Sequence, residues 1–265
     1  MFPDFPQAVF IQTRTGCNSD CVICPSKKAF QKFGFQEMEN TLFEKILDDL
    51  SDNYKGQIGL YLHFEPLLDE RLFDFIDLAK KRCPLSSVEI SSNGALLDKE
   101  KQKKLSGSKV DLVYFNFNGG SKEVYEQQMK GLNFERSLKN IKDFRKIYSG
   151  KIRINFVLTN DNFHQKEEVR KLSPFPDFEV IDCYWAVNRV GNVLINKPSD
   201  AKTRFSDDCK QLEMNLPILA TGDVILCCND WMREVVIGNV RNENLLNLWR
   251  SHKKHYNYEI CRRCF

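Results

Sequence analysis

Cysteines carry the chemistry most directly legible in this chain of 265 residues. Cys17, Cys21 and Cys24 lie in Gly16-Cys-Asn-Ser-Asp-Cys-Val-Ile-Cys-Pro25, a C-x3-C-x2-C run just after the first apolar stretch. Three thiolates at that spacing can hold three irons of a 4Fe-4S cluster and leave the fourth without a protein ligand. Such an open iron can bind a substrate or cofactor. The alternative, a zinc knuckle, usually completes four ligands with paired C-x2-C or His units, and no His lies within thirty residues downstream of Cys24. A second group, Cys209, Cys227, Cys261 and Cys264, gathers toward the end of the chain. Four thiolates can complete an auxiliary 4Fe-4S cluster or an all-cysteine zinc site, and spacing alone does not choose the metal.

The first triplet resembles that of the radical S-adenosylmethionine (SAM) superfamily, in which the open iron chelates SAM and reductive cleavage releases a 5'-deoxyadenosyl radical. The resemblance implies hydrogen-atom abstraction from an unactivated C-H bond. Cys209, Gly222-Asp-Val-Ile-Leu-Cys227-Cys228-Asn-Asp230, Gly238-Asn239, Trp249 and the closing Cys261-Arg-Arg-Cys264 are similar to the SPASM/twitch extension of such enzymes. That similarity favours iron over zinc for the second group. Because the sequence stops one residue past Cys264, the shorter twitch form with one auxiliary cluster is expected. Of the neighbours Cys227 and Cys228, which face opposite sides if they lie on a strand, Cys227 is assigned as the ligand because it closes the Gly-x4-Cys pattern.

The same resemblance nominates residues around SAM. Glu65, in His63-Phe64-Glu65-Pro66, stands in the family's Gly-Gly-Glu-Pro motif as partner of the SAM ammonium, without the paired glycines. Ser92 and Asn93 of Ser91-Ser-Asn93-Gly94 are candidates for the ribose hydroxyls, although a plain turn explains Asn-Gly equally well. Asn116 of Asn116-Phe-Asn118-Gly119 and Lys130, where relatives usually carry Arg, are candidates for the SAM carboxylate; lysine keeps the charge but loses the bidentate fork. Asn160 is a weaker candidate for the adenosine, and Ile23 would pack against the adenine.

For the reaction itself, Arg189 in Asn188-Arg189-Val190-Gly191 is a candidate to hold a hydroxyl, carboxylate or phosphate of the substrate, against the plainer role of a barrel-closing ion pair. Asp230, three residues beyond Cys227, is a candidate base. Tyr61 and Tyr184 are candidate pocket residues. Cys83 and Cys183 read as buried small side chains, with Cys183 the candidate hydrogen-atom donor because it lies on a strand near the expected site.

The elements that must position these residues alternate along the chain. Strands are expected at Val9 to Thr13, Gly59 to Phe64, Ser87 to Ser92, Leu112 to Asn116, Arg153 to Leu158 and Val180 to Trp185. Helical periods fall at Leu42 to Leu50, Arg71 to Arg82, Lys99 to Leu105, Phe134 to Tyr148 and Gln165 to Leu172, with Asp69, Asp98 and Asn133 as N-caps. Parallel β/α crossovers then give an α/β fold, a partial (β/α)6 TIM-like barrel over 1–196. Its ligands should sit at the C-terminal strand ends, where the cysteine triplet lies. Lys197-Pro-Ser-Asp-Ala201 reads as a linker to a small domain over 197–265, with two short strands around Thr221-Gly-Asp223 and a helix from about Glu243 to His252.

Composition is that of an ordinary globular protein, 42% hydrophobic and 28% charged. A net charge of +3 on 39 basic and 36 acidic residues is too balanced to argue for nucleic acid or a membrane surface. The N-terminus has no signal-peptide pattern, so a cytoplasmic location is expected, where thiols stay reduced and ten cysteines are better explained by metal ligation than by disulfides. The expected activity is two-electron oxidation of a small hydroxylated substrate such as a sugar or aminocyclitol, served by a reductant such as flavodoxin or ferredoxin. Radical epimerisation uses the same parts. Peptide modification is disfavoured by the sixteen residues before Cys17, and a non-catalytic zinc protein is the alternative from a different class.

Overall fold

The computed structural model describes residues 4–172, 179–195, 209–252 and 259–264. Its first two thirds alternate strand and helix: β1 (Ala8–Ile11), α1 (Ser26–Phe33), α2 (Asn40–Leu50), β2 (Gln57–Gly59), α3 (Leu72–Arg82), β3 (Ser87–Ser92), α4 (Lys99–Gly107) and β4 (Leu112–Asn116). There follow α5 (Lys122–Gln128), α6 (Phe134–Ile147), β5 (Lys151–Leu158), α7 (Lys166–Leu172) and β6 (Glu179–Trp185). The remainder holds α8 (Lys210–Met214), β7 (Asn215–Ile218), β8 (Asp223–Ile225), β9 (Val236–Asn239), α9 (Leu245–His252) and α10 (Glu259–Arg262).

Among the described residues nine strands join one sheet in the order β6-β5-β4-β3-β2-β1-β7-β8-β9. Strands β1 to β6 are parallel neighbours, and β7 also pairs parallel with β1, Val9 lying opposite Ile58 on one side and Leu216 on the other. Strands β7, β8 and β9 are antiparallel. The result is the partial barrel expected, with a small antiparallel extension sewn to its first strand.

Strand alternation sorts the side chains into two faces. Val113 and Phe115 of β4, with Ile152, Ile154 and Phe156 of β5, are buried in the main core. That core also takes Phe43, Ile46 and Leu47 of α2, Ile76 and Ala79 of α3, and Phe144 of α6. Between them, Asn116 and Asn155 remain half-buried on the other, concave face. Apolar burial therefore fixes the register that aims the polar residues inward.

β3 and β4 run as expected, but β2 stops at Gly59 and the expected Leu60 to Phe64 portion is loop, where Phe64 takes a left-handed φ of 70°. Asp98 and Asn133 cap their helices, accepting from the backbone N-H of Lys101 and Arg136. Asp69 does not cap α3 directly; it accepts from the Arg71 backbone and pairs with the Arg71 guanidinium at 2.9 Å. The linker expected at Lys197 to Ala201 lies outside the described residues. Among the described residues no helix is long and apolar enough to cross a membrane.

Candidate functional site

The loop from β1 to α1 carries Cys17, Cys21 and Cys24, and three other loops hold it. Asp20 N-H donates to Lys130 O at 2.8 Å and Val22 N-H to Gln128 O at 3.0 Å. Glu65 N-H donates to Gly16 O at 3.1 Å, and Asn93 Nδ2 to Asn18 Oδ1 at 2.8 Å. Gly16 takes φ 114°, a conformation that side chains avoid. The Ser19 hydroxyl sits 3.2 Å from Cys17 Sγ and 3.4 Å from Cys21 Sγ. Burial pushes the Cys17 thiol up to about 11 and the Cys21 thiol up to about 12, and raises Cys24 as well. Without a metal to stabilise the thiolates, all three would be protonated at neutral pH.

The second cysteine group converges from separate segments. Cys209 precedes α8, Cys227 follows β8, and Cys261 and Cys264 lie in and just after α10. Cys209, Cys227 and Cys261 pack with Val190, Leu212, Leu226 and Ile260 in an apolar nest apart from the main core. Cys264 is close enough to raise both Cys227 and Cys261, and burial, joined by the neighbouring Cys209, Cys264 and Asp230, pushes Cys261 up to about 11. Cys228 is turned away from this nest. Its thiol meets Gln211 Oε1 at 3.7 Å and lines a separate cavity. Among the described residues no three His, Cys, Asp or Glu side chains are arranged to hold a single metal ion.

That cavity, of about 600 Å³, lies between the strand ends and the extension. Across its floor Asn155 Nδ2 donates to Asn116 Oδ1 at 3.3 Å, and Asn116 Nδ2 donates to Ser91 Oγ at 3.0 Å. Tyr61 and Tyr184 line it, as does Arg189. Arg189 Nη1 donates to Asn229 Oδ1 at 2.6 Å, while its buried Nε has no partner among the described residues. Arg189 also lies close enough to Cys24 to favour its thiolate. Trp231, whose buried indole N-H likewise has no partner among the described residues, closes the extension side.

Glu65 is wholly enclosed. Oε1 accepts from Ser92 Oγ at 2.7 Å and Leu67 N-H at 3.0 Å, and Oε2 accepts from Asn93 N-H at 2.9 Å. Burial raises its carboxyl against these three donors. The structure thus brings Glu65, Ser92 and Asn93 together, with Ser92 and Asn93 organised around the carboxylate. Asn160 lines a smaller cavity of about 230 Å³ beside Val22 and Ile23. Lys130 is exposed on the groove that borders Cys17.

Asp230, the candidate base, is not among the residues that line the cavity; its two carboxylate oxygens accept the backbone N-H groups of Glu234 and Val235 at 2.9 Å each. It closes a turn beside the second cysteine group. Cys183 is paired through its backbone with Phe156, but its side chain lies outside the described residues.

Comparison with known families now bears on both cysteine groups. The profile of the Radical SAM superfamily matches residues 11–172. The chain belongs to the radical SAM superfamily. Residues 209–265 match SPASM, an iron-sulfur cluster-binding domain. This radical SAM enzyme is 21% identical to the S-adenosyl-L-methionine-dependent 2-deoxy-scyllo-inosamine dehydrogenase of Niallia circulans, over 92% of this chain and 82% of that one. It shares its fold with BtrN solved in complex with AdoMet and 2-DOIA, at TM-score 0.65 and 17% identity, covering 100% of this chain and 94% of that one. Streptococcus suis SuiB bound to precursor peptide SuiA superposes at TM-score 0.74 and 16% identity, over 98% of this chain and 66% of that one. The superfamily's cofactors are a 4Fe-4S cluster and SAM, and the cysteine-rich loop is a donor set of that chemistry.

Within this radical SAM architecture, sequence reasoning missed the seam between barrel and extension. His63 stacks on Trp231 with ring centroids 3.9 Å apart and donates from Nε2 to Cys228 O at 3.0 Å. Gln211 and Asn229 also line the cavity. His63 opens the motif at Glu65, so its presence where relatives carry glycine was the available signal.

Proposed function

We propose that this radical SAM enzyme dehydrogenates a small hydroxylated molecule held in the cavity between barrel and extension. What carries the proposal is the cavity's lining: amides and hydroxyls from Ser91, Asn116, Asn155, Asn229 and Tyr61, with Arg189 beside them, in a volume suited to one small molecule. Cys17, Cys21 and Cys24 are assigned to the SAM-binding cluster, and Cys209, Cys227, Cys261 and Cys264 to one auxiliary cluster in a C-terminal domain beginning near residue 197. When bound, SAM and the reduced first cluster supply the 5'-deoxyadenosyl radical, and the auxiliary cluster supplies an electron acceptor.

The chain's own residues bind and orient. Glu65 takes the SAM ammonium: a carboxylate has roughly four acceptor sites, three of which are filled. Ser92 and Asn93 set that carboxylate in place and line the ribose side, while Asn116 and Lys130 serve the SAM carboxylate and Asn160 the adenosine. Arg189, anchored through Asn229, offers its unpaired Nε to a substrate oxygen. His63 and Trp231 seal the far wall against water. The dehydrogenase name of the Niallia circulans relative and the small molecule bound to BtrN agree with this assignment. Its work belongs in the cytoplasm, where thiols remain available for cluster assembly.

The position of Cys228 favours a second outcome of the same chemistry, epimerisation, with Cys228 rather than Cys183 returning hydrogen to the opposite face. Incubating reconstituted enzyme with candidate polyols and aminocyclitols in deuterated buffer separates the two. One oxidised product per 5'-deoxyadenosine, without solvent deuterium, is expected. An isomer carrying one deuterium would replace dehydrogenation by epimerisation. Modification of a peptide and of no small polyol would overturn both.

A further inference from the structure

The first cluster site has two sides, and the cavity occupies only the inner one. On the outer side a groove of about 580 Å³ runs past Cys17, bordered by Lys27, Phe30 and Lys130. Helix α1 forms its rim. From Ser26 to Gln36 the sequence carries Lys27, Lys28 and Lys32 and no acidic residue, in a chain where basic and acidic residues are nearly equal in number. Several surface lysines elsewhere sit beside an acid: Lys104 beside Glu100 at 2.8 Å, Lys101 beside Glu70 at 2.9 Å and Lys45 beside Asp49 at 2.8 Å. Among the described residues, Lys27 is the one lysine of α1 that meets an acid, Asp20 at 3.7 Å, whereas Lys28 and Lys32 donate to the neutral oxygens of Asn192 and Met232.

Phe30 and Phe35 are exposed among these charges, Phe35 under the Arg14 guanidinium. The helix is anchored from behind, Ala29 packing on Trp231 and Met232 of the extension. A rigid, positive surface with exposed aromatic rings beside a buried redox centre is what a negatively charged electron carrier needs: charge to steer the encounter and apolar contact to hold it.

We propose that the outer face of α1 is the docking surface for a small acidic one-electron carrier protein, which reaches the first cluster over Cys17. One electron leaves the carrier and one enters the cluster, with no proton transferred. The inference rests on the cluster assignment and is independent of the substrate proposed above.

The test uses the holoenzyme with its clusters assembled. Binding of an acidic flavodoxin is measured by calorimetry, and cluster reduction by reduced flavodoxin or by dithionite is followed by stopped-flow absorbance. Changing Lys27→Glu with Lys28→Glu is expected to weaken binding and slow reduction by flavodoxin by about tenfold or more at low salt, an effect that shrinks as salt screens the charges. Dithionite reduction stays unchanged, as does every readout for Lys81→Glu with Lys103→Glu, an equal charge change on exposed positions of α3 and α4. Unchanged flavodoxin affinity, or an equal loss in the α3 and α4 variant, overturns the proposal. Where dithionite reduction also fell, Lys27→Gln with Lys28→Gln, which removes charge and adds none, decides: an affinity still at the unaltered level there overturns it.

Discussion

The two cysteine groups solve opposite problems. Cys17, Cys21 and Cys24 come from one short loop, which neighbouring loops brace while leaving it open to a groove outside. Cys209, Cys227, Cys261 and Cys264 come from three separate segments and close over an apolar nest of their own. A local triplet leaves a coordination site for a ligand. A dispersed quartet, when all four members ligate, closes the metal off and ties distant chain segments together. The difference shows that ligand number and sequence spacing are coupled: an open site can be local, whereas a saturated one helps to build the fold around it.

The strongest way to break this comparison is to remove the first group. Cys17, Cys21 and Cys24 all changed to Ala should abolish 5'-deoxyadenosine formation and lower bound iron from roughly eight to roughly four per chain. Unaltered protein holding only roughly four irons would remove the auxiliary cluster from the account. Next in size is the contrast between neighbours. Cys227→Ala should lose the auxiliary cluster and melt earlier, while Cys228→Ala should retain its iron. Equal iron loss in both would undo the assignment of Cys228 to the cavity.

Smaller effects sharpen the space between the groups. Arg189→Ala should reduce kcat/KM by about a hundredfold, the scale of one lost charge-assisted contact to substrate, with iron content unchanged. Asp230→Asn should leave turnover within about a factor of two, yet cost about 1–2 kcal/mol of stability, because an amide replaces one acceptor of the turn's two N-H groups with a donor. A large fall in turnover at full iron loading would restore Asp230 to the chemistry.

The smallest effect is a pH dependence. Burial pushes His63 from 6.5 down to about 3. Below pH 6.5 the unfolded chain therefore gains a proton that the folded chain refuses. The stability from neutral His63 is complete above pH 6.5 and falls with decreasing pH, at up to about 1.4 kcal/mol per pH unit. Denaturant midpoints between pH 7 and 5 should slope less in His63→Gln than in the unaltered protein.

Much of this architecture was legible because parallel strands buried on one face write a plain pattern: β3 and β4 run as the alternation of apolar and polar residues predicts. Helix α1 was not, since Ser-Lys-Lys-Ala-Phe-Gln-Lys-Phe is only eight residues long, rich in lysine, and has only Ser26 and Ala29 buried. β9 is four residues long and mostly half-exposed. At the site, the Cys17 triplet was visible through spacing alone. The turn that consumes Asp230 was not, because its partners are backbone N-H groups, which every sequence has. The Ser91, Asn116 and Asn155 row needed the register of three strands before it existed as a row.

Strand β1 has a demanding position in the sheet. It forms among the first dozen residues, yet its partner on one side, β7, begins at Asn215. A pairing of such long sequence separation is slow to form, and until most of the chain has been synthesised the edge of β1 is open. An open edge invites pairing with other chains. The extension therefore also acts as a late closure on the barrel, and truncation before β7 should give a product that aggregates through that edge even where the first six strands are intact.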